Sequence, residues 1–227
     1  MTQPSDPLPD LASALSQEYT DSRDAQRERA IAELEQVIQR VPEQTEFTNS
    51  RRYKVCGPLF LLVALGLLGF ALHRGGTGLT VCAAVMAVVF VLITWQHRNA
   101  GQHAFMRLTR RQLFADTLST PVDLVDVVDV SVNDEGWLTV QKLILRPDAP
   151  LPVHRSARQL FGNQALALKK PQPQVRIQSA GLMHEGRTLG CDQIADILNA
   201  YCQAAHAQQH LDALRQGTQR APGAVVR

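Results

Sequence analysis

The side chains in this sequence whose types could do chemistry are seven histidines, four cysteines and a run of evenly spaced aspartates. His206 and His210, four positions apart, would stand one turn apart on a helix, as two zinc ligands must. The glutamate of an HExxH motif is missing between them and no third ligand follows, so they read as polar residues on a glutamine-rich face. Asp123, Asp126 and Asp129 recur every third residue near Asp134 and Glu135. That spacing lacks the alternating oxygen ligands and central glycine of an EF-hand loop, and it reads as a solvated edge or docking patch. Cys56 and Cys82 fall in apolar runs, and Cys191 and Cys202 within or beside the last helix; with no CxxC pair, they read as reduced, packing thiols. No GxSxG, P-loop, GxGxxG or kinase signature occurs. A membrane-tethered hydrolase would have to rest on His154, His184 or the Asp123–Asp129 run. The expectation is a protein that is not an enzyme, with no catalytic residue, metal or cofactor.

Arg107, Arg110 and Arg111 carry a different chemistry. Held beneath a bilayer, they are candidates for contact with anionic lipid headgroups, although topology alone also concentrates basic residues there. The net charge of +2 conceals a contrast that bears on this: residues 1–50 sum to −6 and the remainder to +8. The acidic arm and the lack of any arginine-rich helix or aromatic-interleaved basic motif exclude nucleic acid as a partner.

The elements that must position these side chains begin with two apolar runs. Val55–Leu72 is free of charge and, at 1.5 Å per residue, would extend about 27 Å, close to the hydrocarbon thickness of a bilayer. Leu79–Trp95 is equally free of charge. Neither carries a polar stripe, so both read as membrane spans joined by the glycine-rich reversal His73–Gly78. Pro58 lies in the first turn of its helix, where it breaks no hydrogen bond. Arg51, Arg52 and Lys54 precede the first run and Arg98, Arg107, Arg110 and Arg111 follow the second. The expected location is therefore the cell inner membrane, multi-pass, with both termini cytoplasmic. Ala83 and Ala87 on one helix, and Gly66 and Gly69 on the other, offer close approach between the helices or to a second copy. No Asp, Glu, Lys or Arg interrupts either run, which argues for an anchor over a transporter.

Ahead of the hairpin, residues 1–22 are rich in Pro, Ser, Asp and Gln and read as a disordered arm. Within 23–50, Ile31, Leu34, Val37 and Ile38 share one stripe of an amphipathic helix ending near Val41–Pro42. That stripe packs on the rest of the chain, pairs with its twin, or serves as a partner-docking face.

After the hairpin the period changes to two. Ala104–Leu108, Gln112–Thr117, Val127–Val132 and Trp137–Leu145 read as strands, with a turn at Asn133–Gly136 and a turn or helical piece at Thr120–Val125. Ser156–Lys169 has helical composition between flanking prolines. Gln174–Ser179 and Leu182–Glu185 return to strand, and Asp192–Arg215 is an amphipathic helix carrying Ile194, Ile197, Leu198, Tyr201, Ala205, Leu211 and Leu214. Residues 216–227 read as a flexible tail.

The fold class expected is an α+β membrane protein, in which a two-helix transmembrane hairpin (51–98) precedes a small antiparallel sheet domain (103–215) closed by its C-terminal helix. The run LTRRQLFADT (108–117), TPVDLVDVVDV (120–130), WLTVQKLIL (137–145) and VRIQSAGL followed by CDQIADILNAYC (175–202) resembles the bacterial two-helix membrane proteins that carry a cytoplasmic pleckstrin-homology-like (PH-like) domain. The resemblance spans roughly residues 51–205 and departs from the family at Gln112–Leu113 and Val122. It implies a membrane-anchored, protein-binding module whose partners are membrane lipids and a protein of unknown identity or a second copy. The alternative is an immunity or protective protein against a membrane-acting toxin.

Overall fold

The computed structural model describes residues 8–49, 52–99, 102–136, 138–155 and 163–219. The fold is α+β: among the described residues there are four helices and two antiparallel sheets.

Helix α1 spans Leu8–Gln39. It starts well before the expected boundary and includes most of the arm expected to be disordered. The local reason is that no proline or glycine occurs between Pro9 and Pro42, so once Pro9 has occupied a first-turn position nothing interrupts the helix. Its C-terminal half is where the stripe does its work. Ile38 is buried with Ala207 and Leu211, and Ile31, Leu34 and Val37 pack against that cluster.

Strand β1 (Gln44–Asn49) follows at once, where the sequence suggests only the tail of the amphipathic segment. The apolar hairpin then rises as α2 (Arg52–Arg74) and α3 (Thr77–Gln96). Both helices are long and apolar enough to cross a membrane, and only 17% of the apolar stretch of each is buried. Gly75 takes φ +69 at the reversal, a conformation that favours glycine, and its N–H bonds the Ala71 carbonyl at 3.1 Å. The inter-helix seam contains Ala64 and Ala71 on α2 and Ala83, Ala87 and Ile93 on α3 as buried residues. Phe60 stacks on Phe90 with ring centroids 5.6 Å apart. Gly57 lies so close to Thr94 that an added Cβ would sit 2.9 Å from its Oγ1. Gly66 and Gly69, by contrast, have nothing within 4 Å of such a Cβ and take no part in this seam.

Strands β2 (Ala104–Thr109), β3 (Gln112–Ala115) and β4 (Val122–Asp123) continue the first sheet. A single 3-10 turn, Leu124–Asp126, leads to β5 (Val127–Asp134), which pairs with β6 (Thr139–Leu145). At the turn between them Glu135 N–H bonds the Leu138 carbonyl at 2.8 Å; Trp137, expected to begin a strand, lies outside the described residues. Of the helix expected over Ser156–Lys169, residues 156–162 also lie outside them, and Gln164–Leu168 forms strand β7, paired along its length with β8 (Gln174–Ser179). Its alternating Ala and Leu residues suit either state, and the cross-strand ladder with β8 decides for strand. Two short strands, β9 (Leu182–His184) and β10 (Arg187–Thr188), precede α4 (Cys191–Gln219), which continues past the expected start of the tail.

The first sheet has the order β10-β9-β1-β2-β3-β4 and the second β5-β6-β8-β7. Thus β1, from ahead of the hairpin, is an interior strand between two strands that come after it. One core joins both sheets and α4, with Phe47, Leu108, Leu113, Leu143, Ile177, Leu182, Ile194 and Leu198 each no more than 1% exposed. Burying each such side chain contributes roughly 1.5–3 kcal/mol.

Candidate functional site

The register of the first sheet fixes where each basic residue lies. Thr48 pairs with Ala104 at the hairpin end of the β1–β2 ladder, and Gln44 pairs with Thr109 at the other. Arg110 and Arg111 follow Thr109 in the β2–β3 turn, so about 20 Å of strand separates them from Ala104. The three arginines proposed for headgroup contact are accordingly not gathered at the hairpin.

Each also has a partner within the chain. Arg107 meets Glu46 at 3.2 Å, with both side chains about half exposed. Arg110 directs Nε and Nη2 to the Val41 carbonyl oxygen. Arg111 meets Asp212 of α4 at 2.7 Å. Nor does the α1 stripe stand open: Ile31, Leu34, Val37 and Ile38 face α4. Arg215 bonds Glu35 at 2.8 Å and Arg27 bonds the Leu214 carbonyl, which fastens the two helices further.

The aspartate run does not converge. Asp123 accepts a hydrogen bond from Gln112 Nε2 at 2.8 Å, Asp126 pairs with Arg146, and Asp129 accepts the N–H of Val130 at 2.9 Å. The bond to Asp126 holds the Arg146 guanidinium above its ordinary pKa, with the carboxylate charge adding to the effect. Among the described residues no group of three or more His, Cys, Asp or Glu side chains is placed to hold a metal ion. His206 and Asp129 instead line a small crevice of about 200 Å³ between β5 and α4. His184 lies elsewhere, its Nδ1 bonded to the Glu46 carbonyl at 3.2 Å and its ring 5.8 Å from that of Phe47.

A larger cleft of about 460 Å³ opens between α4 and the Asp123–Asp126 segment. Its charged walls are the pairs Arg111 with Asp212 and Arg146 with Asp126, together with Asp123, which accepts from Gln112 Nε2.

What the sequence concealed is the junction between arm and domain. Tyr201, 1% exposed, places its Oη 2.6 Å from Thr45 Oγ1 and donates to the Pro42 carbonyl at 3.2 Å. Burial raises the Tyr201 hydroxyl above its usual pKa, opposed by the bond to Thr45 and the charge of Arg110. Burial likewise pushes the neighbouring Cys202 thiol up to about 11. Only the alternation of Thr45 and Phe47 hints at β1 in the sequence, and two alternating residues are too few to distinguish a strand from a loop.

Compared with family models, curated proteins and solved structures, the chain matches none.

Proposed function

We propose that this is a non-enzymatic, membrane-anchored interaction module that presents a PH-like domain at the cytoplasmic face of the inner membrane. The observation that carries the reading is the placement of the apolar hairpin between two paired strands: β1 leads into α2, α3 leads back to β2, and β1 and β2 lie side by side. If both helices cross the bilayer, the arm and the sheets must sit on the same side of it. The flanking Lys54 and Arg98, with Arg107 of β2 and Arg110 and Arg111 of the β2–β3 turn beyond, favour the cytoplasm for that side. The nearly bare apolar surface of α2 and α3, with Val55 70% and Leu62 67% exposed, supports a lipid environment, because such a surface would be untenable in water.

Two antiparallel sheets sharing one core, with a long C-terminal helix packed into it, support the PH-like reading and a closing role for α4. Paired charges in the larger cleft support binding over catalysis. Reporter fusions at Gly76 and at Arg215 test the arrangement: opposite sides are expected, and the same side for both would overturn it. Crosslinking in intact membranes followed by recovery of the full-length chain tests the function. A discrete protein partner or a crosslinked homo-oligomer is the expected result, and reproducible recovery of the lone monomer would overturn the interaction role.

A further inference from the structure

The most exposed large hydrophobic side chain among the described residues is Val153, at 72%, and it lies outside the hairpin. It is held there firmly. The N–H of Val153 bonds Ser119 Oγ at 3.1 Å, its carbonyl accepts the Ser119 N–H at 2.9 Å, and the Arg155 N–H bonds the Thr117 carbonyl at 2.7 Å. Leu118 and His154 form an isolated antiparallel bridge between these bonds. Pro152 is buried just before, while Val153, His154 and Arg155 are all exposed. An apolar side chain followed by two basic ones is thus presented by a fixed backbone.

The fold puts this loop at the hairpin end of the first sheet. Thr117 and Leu118 belong to the turn that leaves β3 at Ala115, where Ala115 pairs with Met106 and the Asp116 N–H bonds the Phe105 carbonyl at 3.1 Å. Phe105 is the second residue of β2, the first strand after α3. On the adjacent strand, Asn49 is three peptide links from Arg52, which begins α2, so the sheet end lies within about 11 Å of the helix. Lys54, Arg98 and His103 are exposed around the same junction. The acid beside them is Asp116, whose carboxyl is raised by desolvation against the opposing pull of His103 and Arg107.

We propose that the loop Pro152–Arg155 is a membrane-surface contact, with Val153 seated at the headgroup boundary and His154 and Arg155 facing anionic lipid headgroups. This rests on the reading of α2 and α3 as a bilayer anchor, and it moves the lipid contact from Arg107 within β2 and Arg110 and Arg111 in the far β2–β3 turn to the end of the sheet that the hairpin ties down. An apolar tip within a basic surround is the composition that partitions into an anionic interface.

The test uses the full chain in vesicles of phosphatidylcholine alone, or of phosphatidylcholine and phosphatidylglycerol in equal parts. An environment-sensitive fluorophore is attached at Val153→Cys, or for comparison at Val128→Cys at the far end of β5, with the native cysteines replaced. Flotation with the vesicles after alkaline washing reports the anchor independently. The expected result is blue-shifted emission from position 153, quenched by headgroup-level spin labels and strengthened by phosphatidylglycerol, with water-like emission from position 128. Arg155→Glu should abolish the difference between the two lipid compositions. A floated protein whose position 153 stays water-like in both vesicles would overturn this inference and leave the anchor standing. Failure to float would overturn both.

Discussion

The guanidinium of Arg110 gives two hydrogen bonds to one acceptor, the carbonyl oxygen of Val41, from Nε at 3.0 Å and from Nη2 at 2.9 Å. Val41 follows the last turn of α1, where carbonyls have no partner within the helix. The β2–β3 turn thereby supplies donors to the end of the arm. Arg110→Ala should destabilise the protein by about 1.5–3 kcal/mol, the range for hydrogen bonds from a charged group. Arg110→Lys should recover only part of that loss, since an ammonium cannot reproduce the fork. Chemical denaturation in detergent, read alongside protease cleavage after Arg40, measures both effects.

The hairpin seam makes a contrast between glycines. A side chain at Gly57 must displace Thr94, whereas one at Gly66 meets open space. Gly57→Leu should cost about 1–3 kcal/mol through overpacking, and Gly66→Leu should leave the packing of α2 on α3 unchanged. Disulfide trapping between cysteines placed at Phe60 and Phe90 reads out the seam, and it should slow in the first variant alone.

Alkaline pH should weaken the fold through Cys202. Its thiol is raised from an ordinary 9.0 to about 11 by burial, so between those values the unfolded chain releases a proton that the folded chain keeps. The stabilisation is full below pH 9 and is lost as pH rises towards 11, on the order of 2–3 kcal/mol. Cys202→Ala removes this component. Unfolding free energies of both proteins measured at pH 8 and about pH 11 should therefore show the wild type losing more than the variant.

The stripe on α1 yields a packing test. Ile38 is 6% exposed and shares its cluster with Ala207 and Leu211, so Ile38→Ala should cost about 2–4 kcal/mol. The change should loosen the arm before the sheets unfold. Hydrogen exchange would then rise first in the C-terminal half of α1 and in the facing residues of α4.

A fragment beginning at His103 should not fold, although the sequence suggests a domain boundary there. It lacks β1, the strand that joins β2 to β9, and so the first sheet is split into β10-β9 and β2-β3-β4. Replacing the hairpin by a short glycine-rich turn between Asn49 and His103 should restore a soluble domain, because Thr48 and Ala104 already face each other across the ladder. Size-exclusion chromatography and circular dichroism distinguish the two fragments.

These cases show which parts of the molecule are legible in its residues. The hairpin is, because a charge-free run of bilayer length is a dense local signal that needs no partner to interpret. The strands Gln174–Ser179 and Ala104–Thr109 are also legible, from their period of two. Strand β1 is not: Gln44–Asn49 has one large apolar residue, Phe47, and its pairing partner lies beyond the whole hairpin. The Tyr201–Thr45 contact is hidden for the same reason, since it joins residues far apart in sequence through a strand that local pattern does not announce. The arginines were placed by proximity in sequence to the apolar run, and a strand that leads away from the hairpin removes Arg110 and Arg111 from it.

The interrupted sheet also imposes an order on synthesis. When β1 leaves the ribosome its neighbours do not yet exist, and at typical elongation speeds roughly 3–10 s must pass before β2 is made. Throughout that interval the two apolar helices are what the nascent chain has to place. Strand pairing can begin only once the chain has turned back through α3, so correct delivery of the hairpin becomes a precondition for the domain to exist, and a chain whose helices are misplaced leaves β1 parted from β2 for quality control to find.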